Sequence, residues 1–335
     1  MNRRTRRTLW IVAAVLLFLA VAIFLRSKAP PEAARLLPES DGILYVNLKP
    51  MRTFFHKEIK PPQHAAEYQQ FIDAIGIDPE RDLDQAAIAL HRMEDPSGPN
   101  GPVAYSMVLV GKITGQRLNK WLDMHATSRE SYTGHTIYNI PSENRTVRVA
   151  QIGYDMVAVS NYPTPEKIHS MLDRHATAAL PFANSTMLRQ YYHEVPLLSP
   201  VWGIGQIGLP FSESGAIKVF GLSLPLDADS TIIASLRWTG ALRLRVEEIA
   251  PNEEKAARQA AALTMLITLA RDFTVPLANN ADNQGLKELL KSAEVTRKHD
   301  RVLITATVSR SLFSSSTENG NTTPDASAGP SSASK

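Results

Sequence analysis

The sequence predicts an α+β protein in which one N-terminal transmembrane helix is followed by largely antiparallel sheets packed with amphipathic helices. Three observations carry this expectation. Residues 9–25 are 17 consecutive uncharged residues, twelve of them Leu, Ile, Val or Phe. Beyond them, short apolar or alternating runs come in clusters joined by turn residues, which is the pattern of hairpins. Segments with apolar residues at helical spacing lie between the clusters without the strict strand–helix–strand alternation of a parallel sheet, so antiparallel pairing is expected.

The apolar run Leu9 to Leu25 is about 25 Å long as a helix, against a hydrocarbon core of ~30 Å, and suffices if Arg7 and Arg26 snorkel. Its twelve large aliphatic and aromatic residues supply about −4 to −7 kcal/mol of insertion energy. A cleaved signal peptide is the rival reading. Its candidate sites are poor: Ser27-Lys28-Ala29 is followed by Pro30, and Ala20-Val21-Ala22 lies inside the apolar run. A retained signal-anchor is therefore expected. Arg3, Arg4, Arg6 and Arg7 precede the helix, whereas only Arg26 and Lys28 follow it closely, so the positive-inside bias puts the N-terminus in the cytoplasm. Thr5-Arg6-Arg7-Thr8-Leu9 also resembles a twin-arginine export signal, although the run is very hydrophobic for that route.

The expected organisation is a basic cytoplasmic segment 1–8, the transmembrane helix 9–25, a Pro-rich linker 26–38, an extracytoplasmic α+β half 39–180, a second half 181–313, and a disordered tail 314–335. The tail, SSSTENGNTTPDASAGPSSASK, holds no residue more apolar than Ala or Pro and cannot offset the entropy of ordering. Ile43 to Leu48 reads as a strand and His64 to Ile75 as a helix. Ala86 to Leu90 and Val103 to Ile113 read as strands across the connection PSGPNGP, followed by a helix from Thr114 to Ala126. Ser131 to Ile140, Thr146 to Ile152 and Met156 to Ser160 read as strands, and Thr164-Pro165-Glu166 as a helix start with Pro at N1. After Pro181 the pattern restarts, which allows two loosely related halves. A short helix from Ser185 to Glu194 leads to the strand Val201 to Ile207. Ser230 to Trp238 and Ala241 to Ile249 make a hairpin about Thr239-Gly240. Asn252 caps a long helix to Arg271 with Ala256, Ala260, Leu263, Ile267 and Ala270 on one stripe, and Arg301 to Val308 is the last strand.

The net charge of +3 does not describe the body: six basic residues and no acid lie before residue 29, leaving 30 basic against 33 acidic side chains. A nucleic-acid footprint therefore has no compositional support. The absence of cysteine excludes disulfides, thiolate metal sites and a Cys nucleophile.

Motif candidates are weak. Gly203-Ile204-Gly205-Gln206-Ile207-Gly208 matches a dinucleotide fingerprint, but Leu209-Pro210 prevents a helix from opening there, so a Gly-rich strand beside Trp202 is the better reading. Asp227 and Asp229, and Asp82 and Asp84, could each offer two carboxylates to a cation, yet neither pair has a nearby third ligand, and turn chemistry explains both. No HExxH or HxH occurs; His169 and His175 are six apart, do not share a helical face and read as surface residues. There is no GxSxG, and Ser332 to Lys335, the only Ser-x-x-Lys, lies in the tail. A triad assembled from distant residues remains open. Leu263, Leu266 and Ile267 read as core, with a lipid or partner groove as the alternative. Glu247 and Glu248 read as a solvated strand end, and Glu253 and Glu254 as first-turn dipole partners.

The layout, with LLPESDGILYVNL at 36–48 and IGIDPERDLD at 75–84, resembles uncharacterised bacterial envelope proteins with a single N-terminal anchor and an extracytoplasmic domain of unknown function. The resemblance implies a bacterial cytoplasmic (inner) membrane address, single-pass, with the body in the periplasm or cell exterior, and it transfers no site residue. The expected function is a non-catalytic binding, scaffold or assembly factor of the cell envelope, with a membrane-anchored hydrolase of non-motif site as the alternative; the balance is against an enzyme. No cofactor, metal, nucleotide or nucleic acid is expected. The expected partners are the lipid bilayer through Leu9 to Leu25 and another envelope protein or polymer.

Overall fold

Apolar residues at period two build the strands and fix which face each side chain takes. The computed structural model describes residues 12, 17–18, 29–55, 65–113, 116–178, 184–206, 217–219, 222–224, 229–238, 240–274 and 281–309. The expected transmembrane helix 9–25 and the expected tail 314–335 lie outside these residues, apart from Val12, Leu17 and Phe18. No helix among the described residues is long and apolar enough to cross a membrane.

In chain order the elements begin with α1 (Glu32–Arg35), β1 (Gly42–Asn47), α2 (Leu48–Phe55), α3 (Ala66–Ile75), α4 (Pro79–Asp82), β2 (Leu83–Arg92) and β3 (Val103–Gly111). Then come α5 (Gln116–His125), β4 (Ser128–Tyr132), β5 (His135–Ser142), β6 (Arg145–Ile152), β7 (Met156–Ser160), α6 (Glu166–Ala176) and α7 (Thr186–Tyr191). The remainder is β8 (Val201–Gln206), β9 (Ile217–Val219), β10 (Leu222–Leu224), β11 (Thr231–Trp238), β12 (Leu242–Ile249), α8 (Glu253–Thr274), α9 (Ala281–Ser292), β13 (Glu294–Lys298) and β14 (Arg301–Val308). The fold is α+β with a large antiparallel sheet. Twelve strands form it in the order β13-β14-β12-β11-β8-β1-β2-β3-β7-β6-β5-β4, while β9 and β10 pair separately.

Several expectations shift in detail. The run Ser131 to Ile140 is two strands of a hairpin, because Thr133 and Gly134 both take positive φ, 46° and 80°, as a tight two-residue turn requires. Pro165 is the N-cap of α6 rather than its first residue. The sequence pattern does not mark the strand β13 or the helices α2 and α9. Asn252 caps α8 as expected, its Oδ1 accepting the Lys255 N–H at 2.9 Å.

The sheet carries helices on both faces. On one face, α1, α6 and α7 bury Ala33, Leu36, Leu37, Ile168, Met171, Leu172 and Leu188 against Ile43, Tyr45, Ala87, Ala89, Val108, Ala158, Trp202 and Ile204, the largest core of the molecule. On the opposite face, α3 and α5 cover the β5 to β7 side with Ile75, Leu118 and Leu122. On that same face α8 covers β14 with Ala256 and Leu263 over Val302. Both outer edges are strands rich in charge, Arg129 and Glu130 on β4 and Glu294, Arg297 and Lys298 on β13, which discourages addition of another strand.

Candidate functional site

The register brings one candidate surface together. On the face shared by α5 and α8, the row Leu90, Gly42, Gly205, Ile232 and the rows that follow it run across β2, β1, β8 and β11. Among the described residues the helical layer is interrupted there. Leu44 is 37% exposed, and Val46, Ile88, Leu90, Ile232, Ala234 and Leu236 are only half-buried. From β12 to β3 there are five strand spacings, about 24 Å at ~4.8 Å each, so the strip is wider than one helix of ~10 Å.

Gly203 lies in the middle of this strip, opposite Leu44 on β1 and Ala234 on β11. The glycines therefore serve a neighbouring strand, as the strand reading of 203–206 expected, but the bulky group they admit is Leu44. Trp202 points to the other face, stacking on Tyr45 with centroids 5.2 Å apart and meeting Tyr192 edge-on at 5.3 Å. Ile207 and Gly208 lie outside the described residues. The helix stripe on α8 divides: Leu263 is fully buried and Leu266 and Ile267 half-buried, while Met265 and Leu269 next to them are 72% and 50% exposed.

The carboxylate pairs are absorbed into local structure. Asp84 is ion-paired with Arg52, and Asp82 Oδ2 accepts the Asp78 N–H at 2.8 Å. Asp229 is exposed, and Asp227 lies outside the described residues. Among the described residues no group of three His, Asp or Glu is arranged to hold a metal.

His169 and His175 are half-buried rather than fully exposed surface residues, because α6 lies against the β4–β5 hairpin. His169 Nε2 is 2.8 Å from Glu130 Oε1, and its ring stacks on Tyr132 at 3.8 Å. Tyr132 in turn donates its hydroxyl to Asp173 Oδ2 at 3.0 Å. His175 meets His135 edge-on at 6.0 Å. This cluster lies along the surface of the hairpin. A cavity of about 200 Å³, including space open to solvent, is lined instead by Arg35, Leu36, Arg174, Ala178 and Asn184.

Glu247 and Glu248 are buried, not solvated. Glu247 accepts from Arg301 at 2.9 Å and from Arg245 at 2.7 Å, and Arg301 also reaches Glu194 at 2.8 Å. These contacts hold the Arg301 guanidinium in its charged form.

One buried array was not legible in the sequence. His91 Nε2 is 2.9 Å from Ser106 Oγ, which is 3.0 Å from Ser160 Oγ; all three residues are at most 2% exposed. Burial pushes the His91 imidazole down to about 3, assisted by the positive charge of Lys167. Asn161 Oδ1 accepts the Tyr105 N–H at 2.7 Å beside it. The array pins β2, β3 and β7 side by side in the core, with its hydroxyls buried. The register alone places these residues together, and only the fact that polar residues fall at core-phase positions of their strands could have signalled it.

No known protein family and no curated protein matches the sequence. Among solved structures, TP0453 resembles the chain in crystal forms III, I and IV, with TM-scores of 0.42, 0.38 and 0.38 and identities of 12%, 10% and 11%. These likenesses cover 85%, 86% and 87% of this chain and 97%, 97% and 98% of TP0453. At such values the likeness is too distant to indicate a shared activity.

Proposed function

We propose that this protein is held in the cytoplasmic membrane by residues 9–25 and that its extracytoplasmic body is a non-catalytic binding and scaffold domain of the cell envelope. The observation that carries the reading is the half-buried apolar strip over β2, β1, β8 and β11. Its occupant is an amphipathic helix from another envelope protein. The same sheet face already accepts helices on either side of the strip, and one more docked between them would bury Leu44, Ile88 and Leu236 at about 25 cal/mol per Å². Strand addition is disfavoured by the charged edges.

The body is built from two similarly wound halves meeting near residue 180. In each, three antiparallel strands are followed by a helical crossover and a meander whose last strand joins the third: β1, β2, β3 and then β7; β8, β11, β12 and then β14. The halves join through antiparallel β1 and β8, so the strip lies on their junction.

The test is a photo-cross-linking residue at Leu44 in the full chain in its own membrane, with Ser97 as comparison. One adduct of defined mass is expected at 44 only, lost when Ile88 becomes Asp in a variant that keeps its melting temperature. An adduct unaffected by Ile88→Asp, or equal labelling at both positions, overturns the reading.

A further inference from the structure

The strand registers end on one side of the molecule in the row Asn47, Pro200, Arg237, Arg243, Thr307. Asn47 donates its N–H to Pro200 O at 2.6 Å, and Arg237 lies opposite Arg243 and Arg243 opposite Thr307. Just before Pro200, a loop carries Leu197 and Leu198, 47% and 92% exposed. Leu198 has φ of +61°, in the left-handed region that Gly and Asn ordinarily fill, so the loop keeps an exposed leucine in a strained conformation.

Basic side chains lie beside this loop. Lys49, Lys112 and Arg243 are exposed at the same end and Arg237 is half-buried. Among the described residues neither Arg237 nor Arg243 makes an ion pair, although like charges opposite each other on adjacent strands repel. Of the carboxylates at this end, Asp84 is engaged by Arg52, Asp82 by the Asp78 N–H and Glu288 by the Ser309 N–H at 3.0 Å, while Glu80, Asp155, Asp272 and Glu294 are exposed farther from the loop.

The path of the chain leads to the same end. The helix α6 starts just after Ser160, at the end opposite this row, and finishes with His175 against His135, which is paired at the near end. Arg35 and Leu36 line a cavity with Arg174 and Ala178, in the last turn of α6 and beyond it. Residues ahead of Glu32 thus leave the body from the half nearer Leu198, and Leu25 to Glu32 spans at most about 25 Å.

We infer that Leu197 and Leu198, flanked by Lys49, Arg237 and Arg243, form a tip that enters the interfacial layer of an anionic bilayer, the same bilayer that holds residues 9–25. The leucines supply the apolar contact and the cations meet lipid phosphates, the two signals that peripheral contact ordinarily combines. Contact at this end fixes the orientation of the body and leaves the apolar strip facing sideways. The inference rests on the anchored reading above.

The absence of cysteine allows a direct test. Leu198→Cys in the full chain provides a unique thiol for an environment-sensitive fluorophore, with Ser97→Cys at the opposite end as reference. After reconstitution into vesicles of zwitterionic lipid with and without anionic lipid, emission from position 198 is expected to shift to the blue and to be quenched by spin-labelled lipid, more strongly with anionic lipid. Position 97 should stay aqueous. Changing Arg237 and Arg243 together to Gln should cut the quenching at 198 several-fold at low salt. Incorporated protein whose label at 198 is as aqueous as at 97, or is quenched without regard to lipid charge, overturns the tip. Protein that floats free of the vesicles after an alkaline wash overturns the anchor instead, so the two failures are told apart.

Discussion

Leu44 lies over Gly203: a Cβ built on the glycine would fall 2.8 Å from Leu44 Cδ2. The contact is with the far end of a flexible side chain, which can rotate away. At Gly111 the geometry is different, since a Cβ there would sit 2.1 Å from the backbone oxygen of Asp82. Gly203→Ala is therefore expected to change stability by less than about 1 kcal/mol, whereas Gly111→Ala should cost about 1–3 kcal/mol or more because backbone must move. Urea unfolding of both variants checks this, and equal costs would refute the contrast.

The His91 array makes stability depend on acid. Its imidazole titrates near 6.5 when unfolded and near 3 when folded, so the unfolded chain binds the extra proton between these values. The contribution is fully present above pH 6.5 and is lost as pH falls toward 3. Between pH 6.5 and 4.5 the loss should be roughly 2–3 kcal/mol, at ~1.4 kcal/mol per pH unit. His91→Gln should be less stable at pH 7 but show a shallower decline over that range. Parallel curves for the two proteins would refute the assignment.

On the proposed topology, in which the arginine asymmetry about residues 9–25 directs the body outward, an alkaline phosphatase fused after residue 313 should be exported and active. Leu17→Arg places a charge at the centre of the proposed transmembrane segment at about 2.5–3.5 kcal/mol, a large part of the estimated insertion energy, so export of the fusion should fall sharply. Full activity of the Leu17→Arg fusion, or an inactive parent fusion, would count against the topology.

Deleting residues 314–335 should leave the melting temperature unchanged within error, since the segment has no large apolar side chain to bury. A clear drop would show that it docks on the body.

The sequence alone determined what depends on local pattern. Period-two runs marked most strands, Asn252 marked the start of α8, and the Gly-rich run 203–206 was recognised as a strand because Leu209-Pro210 forbids a helix. Its composition likewise showed that the net positive charge comes from the first 28 residues. The structure decided what depends on register between distant segments. Nothing within residues 83–92 reveals that Ala89 will lie opposite Ser106, or that Ser106 will lie opposite Ser160, and so the His91 array was invisible. The same holds for Glu247, which reads as solvated until Arg301 is brought to it. Among the described residues, the gap in the helical layer over β1 and β8 likewise arises from a pairing across more than a hundred residues, whereas Arg237 and Arg243 come beside Pro200 through the shorter-range pairings of β8 with β11 and of β11 with β12. Side-chain period is a property of one segment, whereas a surface is a property of several segments in register, and only folding sets that register.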